Sequence, residues 1–302
     1  MCLSNGLSSR LFFTLILSTA VVLSGCAAKK ALWGDPQEGL ILTYRMSEGQ
    51  ELQYTSSSGF TQNLEISGQQ MKVTSDKTLT FSVTQKGMKG GEHTLGVTID
   101  AMELTIDSPQ GSISPDMSGV VGKSFDMTLS SLGKEMGLSG AKQIKYSVGM
   151  QGERNVASEF EAVFPDLATE PLKVGGTWTT RDTIRVDDAS SQVRIMLKSL
   201  NTLVGYETVM GMECAKISSD VTGTMDGEGE QGGQPLVFGG EVTGDDTWYF
   251  AYKEGLFVKS VSDGAIDGEI SVGGPGGMVI PMEQTTKMET ALVAPPAQPV
   301  AD

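Results

Sequence analysis

The sequence predicts an all-β protein: a large antiparallel curved sheet, sandwich or half-barrel, with little helix. Apolar residues recur at every second position through most of the chain, patterns of 3.6-residue period are nearly absent, and 38 glycines punctuate the runs. Period-two alternation buries one face of a strand and wets the other. Glycine between such runs supplies the positive φ that tight hairpin turns need.

Along the chain, Leu79, Phe81 and Val83 alternate with threonine and serine. Leu95, Val97 and Ile99 continue the pattern, and the apolar phase then shifts to Met102, Leu104 and Ile106, which predicts a bulge inside one strand. Phe125, Met127 and Leu129 make the next strand. Ala157 to Val163 is the one short helical stretch, with Ser158 as its cap and Pro165 as its stop. Further strands are predicted at Val193-Ile195-Leu197, Met212 to Ile217, Trp248-Phe250, Leu256-Val258 and Ile266-Ile270-Val272. Turns are predicted at Lys86-Gly87 to Gly90-Gly91, Asp226-Gly227, Gly232-Gly233, Gly239-Gly240, Asp263-Gly264 and Gly273 to Gly277, giving a dozen or more strands.

The N-terminus is an address. Leu11 to Leu23 is an apolar run behind Arg10, and it is shorter than the ~20 residues a bilayer-spanning helix needs. Residues 1–25 therefore have the form of a signal peptide. Leu23-Ser24-Gly25-Cys26 resembles the lipobox of bacterial lipoproteins. That resemblance implies cleavage before Cys26, diacylation of its thiol and often a further acyl chain, palmitate being a typical one, on the new N-terminus. Each buried methylene adds ~0.8 kcal/mol of membrane affinity, so two or three chains on Cys26 make the lipid bilayer a standing partner. Ala27 and Ala28 follow, with no Asp at the second position. This resembles the class sorted to the outer membrane, facing the periplasm.

Residues 26–37 would form a lipidated tether, 38–290 the β-rich domain, and 291–302, with three prolines and no periodicity, a disordered tail. A division into halves 38–164 and 165–290 is suggested by Phe164-Pro165-Asp166-Leu167. It is also suggested by an echo between Val121-Gly122-Lys123-Ser124-Phe125 and Val174-Gly175-Gly176-Thr177-Trp178. The whole pattern resembles β-rich exported lipoproteins of bacteria, a likeness that brings no known activity with it.

The formal net charge is −15, and removal of Arg10 with the signal makes it one unit more negative. Such a surface repels phosphate backbones, which excludes nucleic acid as a partner. Of three cysteines, Cys2 leaves with the signal and Cys26 would be acylated, so Cys214 has no disulfide partner. Alternation places it with Met212 as a buried, inert thiol.

Catalytic and metal motifs fail on inspection. One histidine, His93, excludes multi-histidine sites. Asp226-Gly227-Glu228-Gly229-Glu230 begins like an EF-hand loop, but Gln231 and Val237 stand where that loop needs Gly and Glu, leaving an acidic hairpin loop. Asp187-Asp188 and Asp245-Asp246 are looser acidic pairs. Ser131-Leu132-Gly133-Lys134 matches the Ser-x-x-Lys of penicillin-binding proteins, and Ser199-Leu200-Asn201 a Ser-x-Asn. The Lys-Thr-Gly strand is missing, and Gly133 points to a hairpin turn. Gly273 to Gly277 lacks the lysine of a P-loop. Trp33 suits either a membrane interface or a packing contact. Methionines at Met71, Met102, Met127, Met196, Met210, Met212, Met282 and Met288 suit core filling or an adaptable apolar face.

No catalytic residue, cofactor or metal is thus expected. The sequence points to a membrane-anchored, exported lipoprotein with a non-enzymatic binding or scaffold role, engaging a protein or an envelope polymer. The alternatives are a periplasmic carrier of a lipid or acyl chain, with a pocket lined by Met, Leu and Val, and a hydrolase of unknown class.

Overall fold

The computed structural model of the protein describes residues 32–149, 152–187, 190–274 and 277–294. The predicted signal peptide, Cys26, most of the predicted tether and most of the predicted tail lie outside the described residues, as does Asp188. The described residues belong to one compact unit.

Sixteen strands are described: β1 (Gly34–Asp35), β2 (Gly39–Leu40), β3 (Glu51–Ile66), β4 (Gln69–Lys89), β5 (Glu92–Ser108), β6 (Gly111–Ile113), β7 (Ser124–Ser130), β8 (Glu135–Met136), β9 (Lys145–Ser147), β10 (Glu153–Asn155), β11 (Thr177–Asp187), β12 (Ser191–Val209), β13 (Met212–Gln231), β14 (Gln234–Ala251), β15 (Leu256–Val272) and β16 (Met278–Leu292). One antiparallel sheet runs β11-β12-β13-β14-β15-β16-β3-β4-β5-β7-β8, with β6 paired to β5. It curls into a half-barrel. The β16–β3 ladder joins the two predicted halves into this single sheet. The echoed segments are equivalent only locally. Gly122 (φ 79°) and Gly175 (φ 87°) each turn the chain into a strand, β7 and β11.

The predicted bulge is present: Phe81 pairs with Ile99 and Thr80 with Ala101, so Asp100 is the extra residue. Its carboxylate accepts hydrogen bonds from Ser82 Oγ (2.6 Å) and Gln53 Nε2 (2.9 Å). The strands are longer than the glycine pattern suggests. Gly90-Gly91 and Gly232-Gly233 are hairpin turns, both residues of each pair at positive φ. Gly227, Gly239, Gly240 and Gly264 instead lie inside β13, β14 and β15, and the two predicted strands at Leu256-Val258 and Ile266-Val272 are one. Curvature explains this. A Cβ on Gly223, Gly227 or Gly268 would stand 2.2, 2.5 or 2.2 Å from a carbonyl oxygen of the neighbouring strand, so only glycine lets the strands curl so tightly.

At Ala157–Glu159 there is a single 3-10 turn. Asn155 Oδ1, not the predicted Ser158, accepts from the Ala157 N–H (3.0 Å). This turn belongs to a strap, residues 155–167, that closes the seam between the sheet edges β8 and β11. Asn155 Nδ2 donates to Asp187 O (3.0 Å), Glu161 accepts from the Arg185 N–H (2.5 Å), and the Leu167 N–H donates to Leu132 O (2.7 Å). These contacts occupy backbone groups of an edge strand that would otherwise template aggregation.

Phe164 of the strap packs edge-on against Tyr44, Tyr54 and Phe257, and Phe160 against Phe81 and Phe125. They complete the main core, formed with Leu52, Val97, Ile217, Trp248 and Phe250 inside one end of the half-barrel. A second apolar cluster, Leu64, Met225, Ile280 and Met282 with Ile195, Phe238 and Ile266 packed on it, gathers inward-facing residues toward the other end of the long strands.

Candidate functional site: a polar belt between two apolar layers

Between the two clusters the inward face changes character. Following the ladders across the sheet, one row of directly paired residues reads Trp178, Asn201, Ser219, Asp246, Ser262, Met288, Ser58 and Lys77. The adjacent row toward the main core contributes Ser260, Thr290 and Ser56, and the row on the other side Thr180, Ser199 and Thr286. Gly244 and Gly264 lie in that last row and bring no side chain to the cavity they line; a Cβ on Gly244 would stand 2.7 Å from Asp263 O, so the strands pass too closely there to admit one. These residues and the strap enclose a cavity of ≈ 340 Å³.

Part of the belt is wired to itself. Trp248 Nε1–H donates to Ser219 Oγ (3.0 Å), Ser219 donates to Asn201 Oδ1 (2.6 Å), and Asn201 Nδ2 donates to Thr180 Oγ1 (3.3 Å). Thr290 donates to Ser56 (3.0 Å), and Ser262 to Asp246 Oδ1 (3.0 Å). Trp178 meets Trp248 edge-on, with ring centroids 5.9 Å apart. The hydroxyls of Ser58, Ser199 and Ser260 have no hydrogen bond among the described residues, and all three line the cavity.

The cations at the belt are already paired. Lys77 is bound to Glu159 of the strap, and Lys134 to Asp182 (2.6 Å) with Asp166 at 3.9 Å. No ion pair of Asp246 is formed among the described residues. Burial pushes its carboxyl up to about 6, against the hydrogen bonds from Ser262 and the Thr247 N–H that favour the anion. Asp166 also stands at about 6, raised by burial and by Asp182 and lowered by Lys134. Beneath the strap, Glu135 is pushed to about 8, chiefly by burial, although it accepts from the Phe164 N–H (2.7 Å).

The residues singled out in the sequence lie mostly elsewhere. His93 is buried in β5. Its Nε2 meets Tyr44 O (3.1 Å), which can only accept, so Nδ1 takes the hydrogen bond from Gln85 Nε2 (3.0 Å), the geometry of a satisfied core histidine. Cys214 is buried in β13, and burial pushes its thiol up to about 12. Ser131 to Lys134 forms the β7–β8 turn, with Gly133 at φ 105°. Asp226 to Glu230 is not a loop but the last stretch of β13, where Arg194 grips Asp226 with two nitrogens. Trp33 packs on the core under the Arg45 guanidinium (5.7 Å). The methionines divide: Met102, Met127, Met212 and Met282 are buried, Met71 is partly buried against the second cluster, and Met196, Met210 and Met288 are exposed, Met288 from its place in the belt row.

Of the belt, Asp246 and the pair Ser199 and Asn201 stood out in the sequence, each for another reason. A visible signal marks the rest. In-phase apolar alternation is interrupted by polar residues at matching depth, as in Leu197-Ser199-Asn201-Leu203 and Tyr54-Ser56-Ser58-Phe60. Of the Met, Leu and Val lining expected of an acyl carrier, Val163, Leu197, Val221, Val242 and Met288 are present in the cavity wall, interleaved with the hydroxyls and carboxylates of the belt. The outer face is polar as well, with Asp220, Thr222 and Thr224 on β13 and Glu283, Thr285 and Lys287 on β16. A lipid-facing barrel wall would need an apolar band there.

No protein-family model matches the chain, and no curated protein does. Among solved structures, it is similar to a Bacteroides fragilis protein described as exported and having a YmcC-like fold. The identity is 11%, covering 85% of this chain and 99% of that one, with a TM-score of 0.26. It is also similar to the β domain of the Bordetella autotransporter BrkA, at 9% identity, 80% and 99% coverage and a TM-score of 0.21. A third is Pseudomonas aeruginosa OccK2, at 5% identity, 80% and 96% coverage and a TM-score of 0.20.

Proposed function

We propose that the protein is a lipid-anchored, exported binding protein that holds a small polar ligand inside its half-barrel and performs no chemistry on it. The observation that carries this reading is the belt itself. A hydroxyl left without a partner between apolar layers gains little for folding, and those of Ser58, Ser199 and Ser260, with no hydrogen bond among the described residues, offer donors and acceptors to a guest. Cys26 supplies the membrane attachment, and the acidic, hydroxyl-rich outer face keeps the body in water at the periplasmic side of the outer membrane. Its replacement by serine should release the protein from membranes and abolish palmitate labelling. Native mass spectrometry of the full chain, extracted from its own membranes in mild detergent, tests the binding claim. A polar small molecule retained on the protein and ejected on activation is the expected result; bare protein alone, or an acyl chain, contradicts it.

A further inference from the structure

The cavity also specifies what kind of polar molecule it takes, granted the binding role proposed above. Its charged groups are unequal in kind. Lys77 and Lys134 are spent on Glu159 and Asp182, so neither offers a free cation to an anionic guest. Asp246 is the opposite case: it faces the cavity from the middle of the belt, its hydrogen bonds come from Ser262 and the Thr247 N–H, and no described cation balances it. A half-buried carboxylate with only neutral donors keeps much of its desolvation cost, and a positively charged donor from outside relieves it. Around it the uncommitted groups are hydroxyls. Ser58 lies three paired positions from Asp246 in the same row, and Ser199 and Ser260 lie in the rows on either side. Hydroxyls serve as donor or acceptor and match a polyol, and Gly244 and Gly264, which also line the cavity, bring no side chain of their own beside the carboxylate.

We infer that the cavity binds a small polyol carrying a protonated amine, with the ammonium on Asp246 and the hydroxyls of the guest on Ser58, Ser199 and Ser260. Asp166 and Asp182 at the strap side share the one cation Lys134, two carboxylates to one ammonium, which leaves that side of the cavity net acidic when both are ionised. An anionic sugar would meet Lys77 only as one half of its pair with Glu159.

The test is titration calorimetry on the full chain in mild detergent at neutral pH, with glucosamine and glucose as probes. Glucosamine is expected to bind about tenfold or more tightly than glucose, the discrimination a single charge-assisted hydrogen bond confers. Asp246→Asn should erase the difference, while Asp267→Asn, on the exposed outer face of β15, should keep it. Unfolding curves establish that both variants fold; if Asp246→Asn does not, the wild-type comparison of the two sugars decides alone. Equal binding of both sugars, or tighter binding of glucose, overturns the ammonium assignment and leaves the polar-cavity reading standing. No binding of either sugar at millimolar concentration also overturns it. The cavity reading fails separately, if native protein carries no polar adduct.

Discussion

Ser219 joins three parts of the belt, accepting from the Trp248 indole while donating to Asn201. Ser219→Ala strands a buried N–H and a buried amide oxygen. It should cost ~1–3 kcal/mol of unfolding free energy by urea titration, and a change under ~0.3 kcal/mol would mean that water replaces the hydroxyl without loss. Glu135 sets a second expectation. Its folded pKa, about 8, lies above the ordinary carboxylate value, so the native state holds the proton longer than the unfolded chain does. The stability this gives is complete below the unfolded value of roughly 4.3 and declines as pH rises toward the folded one. Asp166 and Asp246, raised to about 6, act in the same direction over the lower part of that window. The melting temperature should therefore fall between about pH 5 and pH 8. Glu135→Gln should flatten the slope while keeping the acceptor for the Phe164 N–H, and an unchanged slope would remove Glu135 from the explanation.

At the scale of strands, the sheet owes its curl to where glycine falls on the pleat. On β14 and β15 the neighbours Gly239 and Gly268 make the contrast. A Cβ on Gly239 meets nothing within 4 Å, whereas one on Gly268 would stand 2.2 Å from the Gly239 carbonyl oxygen. Gly268→Ala should therefore destabilise by more than ~2 kcal/mol through forced flattening, and Gly239→Ala by well under ~1 kcal/mol. Equal midpoints in denaturant would show that the curl has another origin. The same glycines explain how far the sequence was legible. Alternation located the inward face of β4, β5, β7 and β12, and the phase shift after Ile99 located the bulge. Glycines at Asp226-Gly227, Gly239-Gly240 and Asp263-Gly264 looked like turns because composition alone does not separate a glycine that reverses a chain from one that lets it bend. Ladder pairing makes that distinction, and pairing is a property of two distant segments.

The molecule as a whole is a half-barrel whose interior alternates by depth: an aromatic core sealed by Phe160 and Phe164 of the strap, a polar belt, and a second apolar cluster. Fold class is a local signal and could be read from the chain. The belt could not, because its members come from eight strands and the strap, and meet only when the β16–β3 ladder joins them. What betrays it afterwards is a break in alternation at one shared depth, at Ser56 and Ser58, Ser199 and Asn201, Ser260 and Ser262. The central claim is that the hydroxyls of Ser58, Ser199 and Ser260, which have no hydrogen bond among the described residues, are kept for what they hold and not for folding. The unfolding free energy of the Ser58→Val, Ser199→Val double variant tests it most directly, since neither hydroxyl has a partner among the described residues. Stability equal to or above that of the wild type is the expected result; a loss of more than ~2 kcal/mol would place the belt among the elements that hold the fold together and contradict the account.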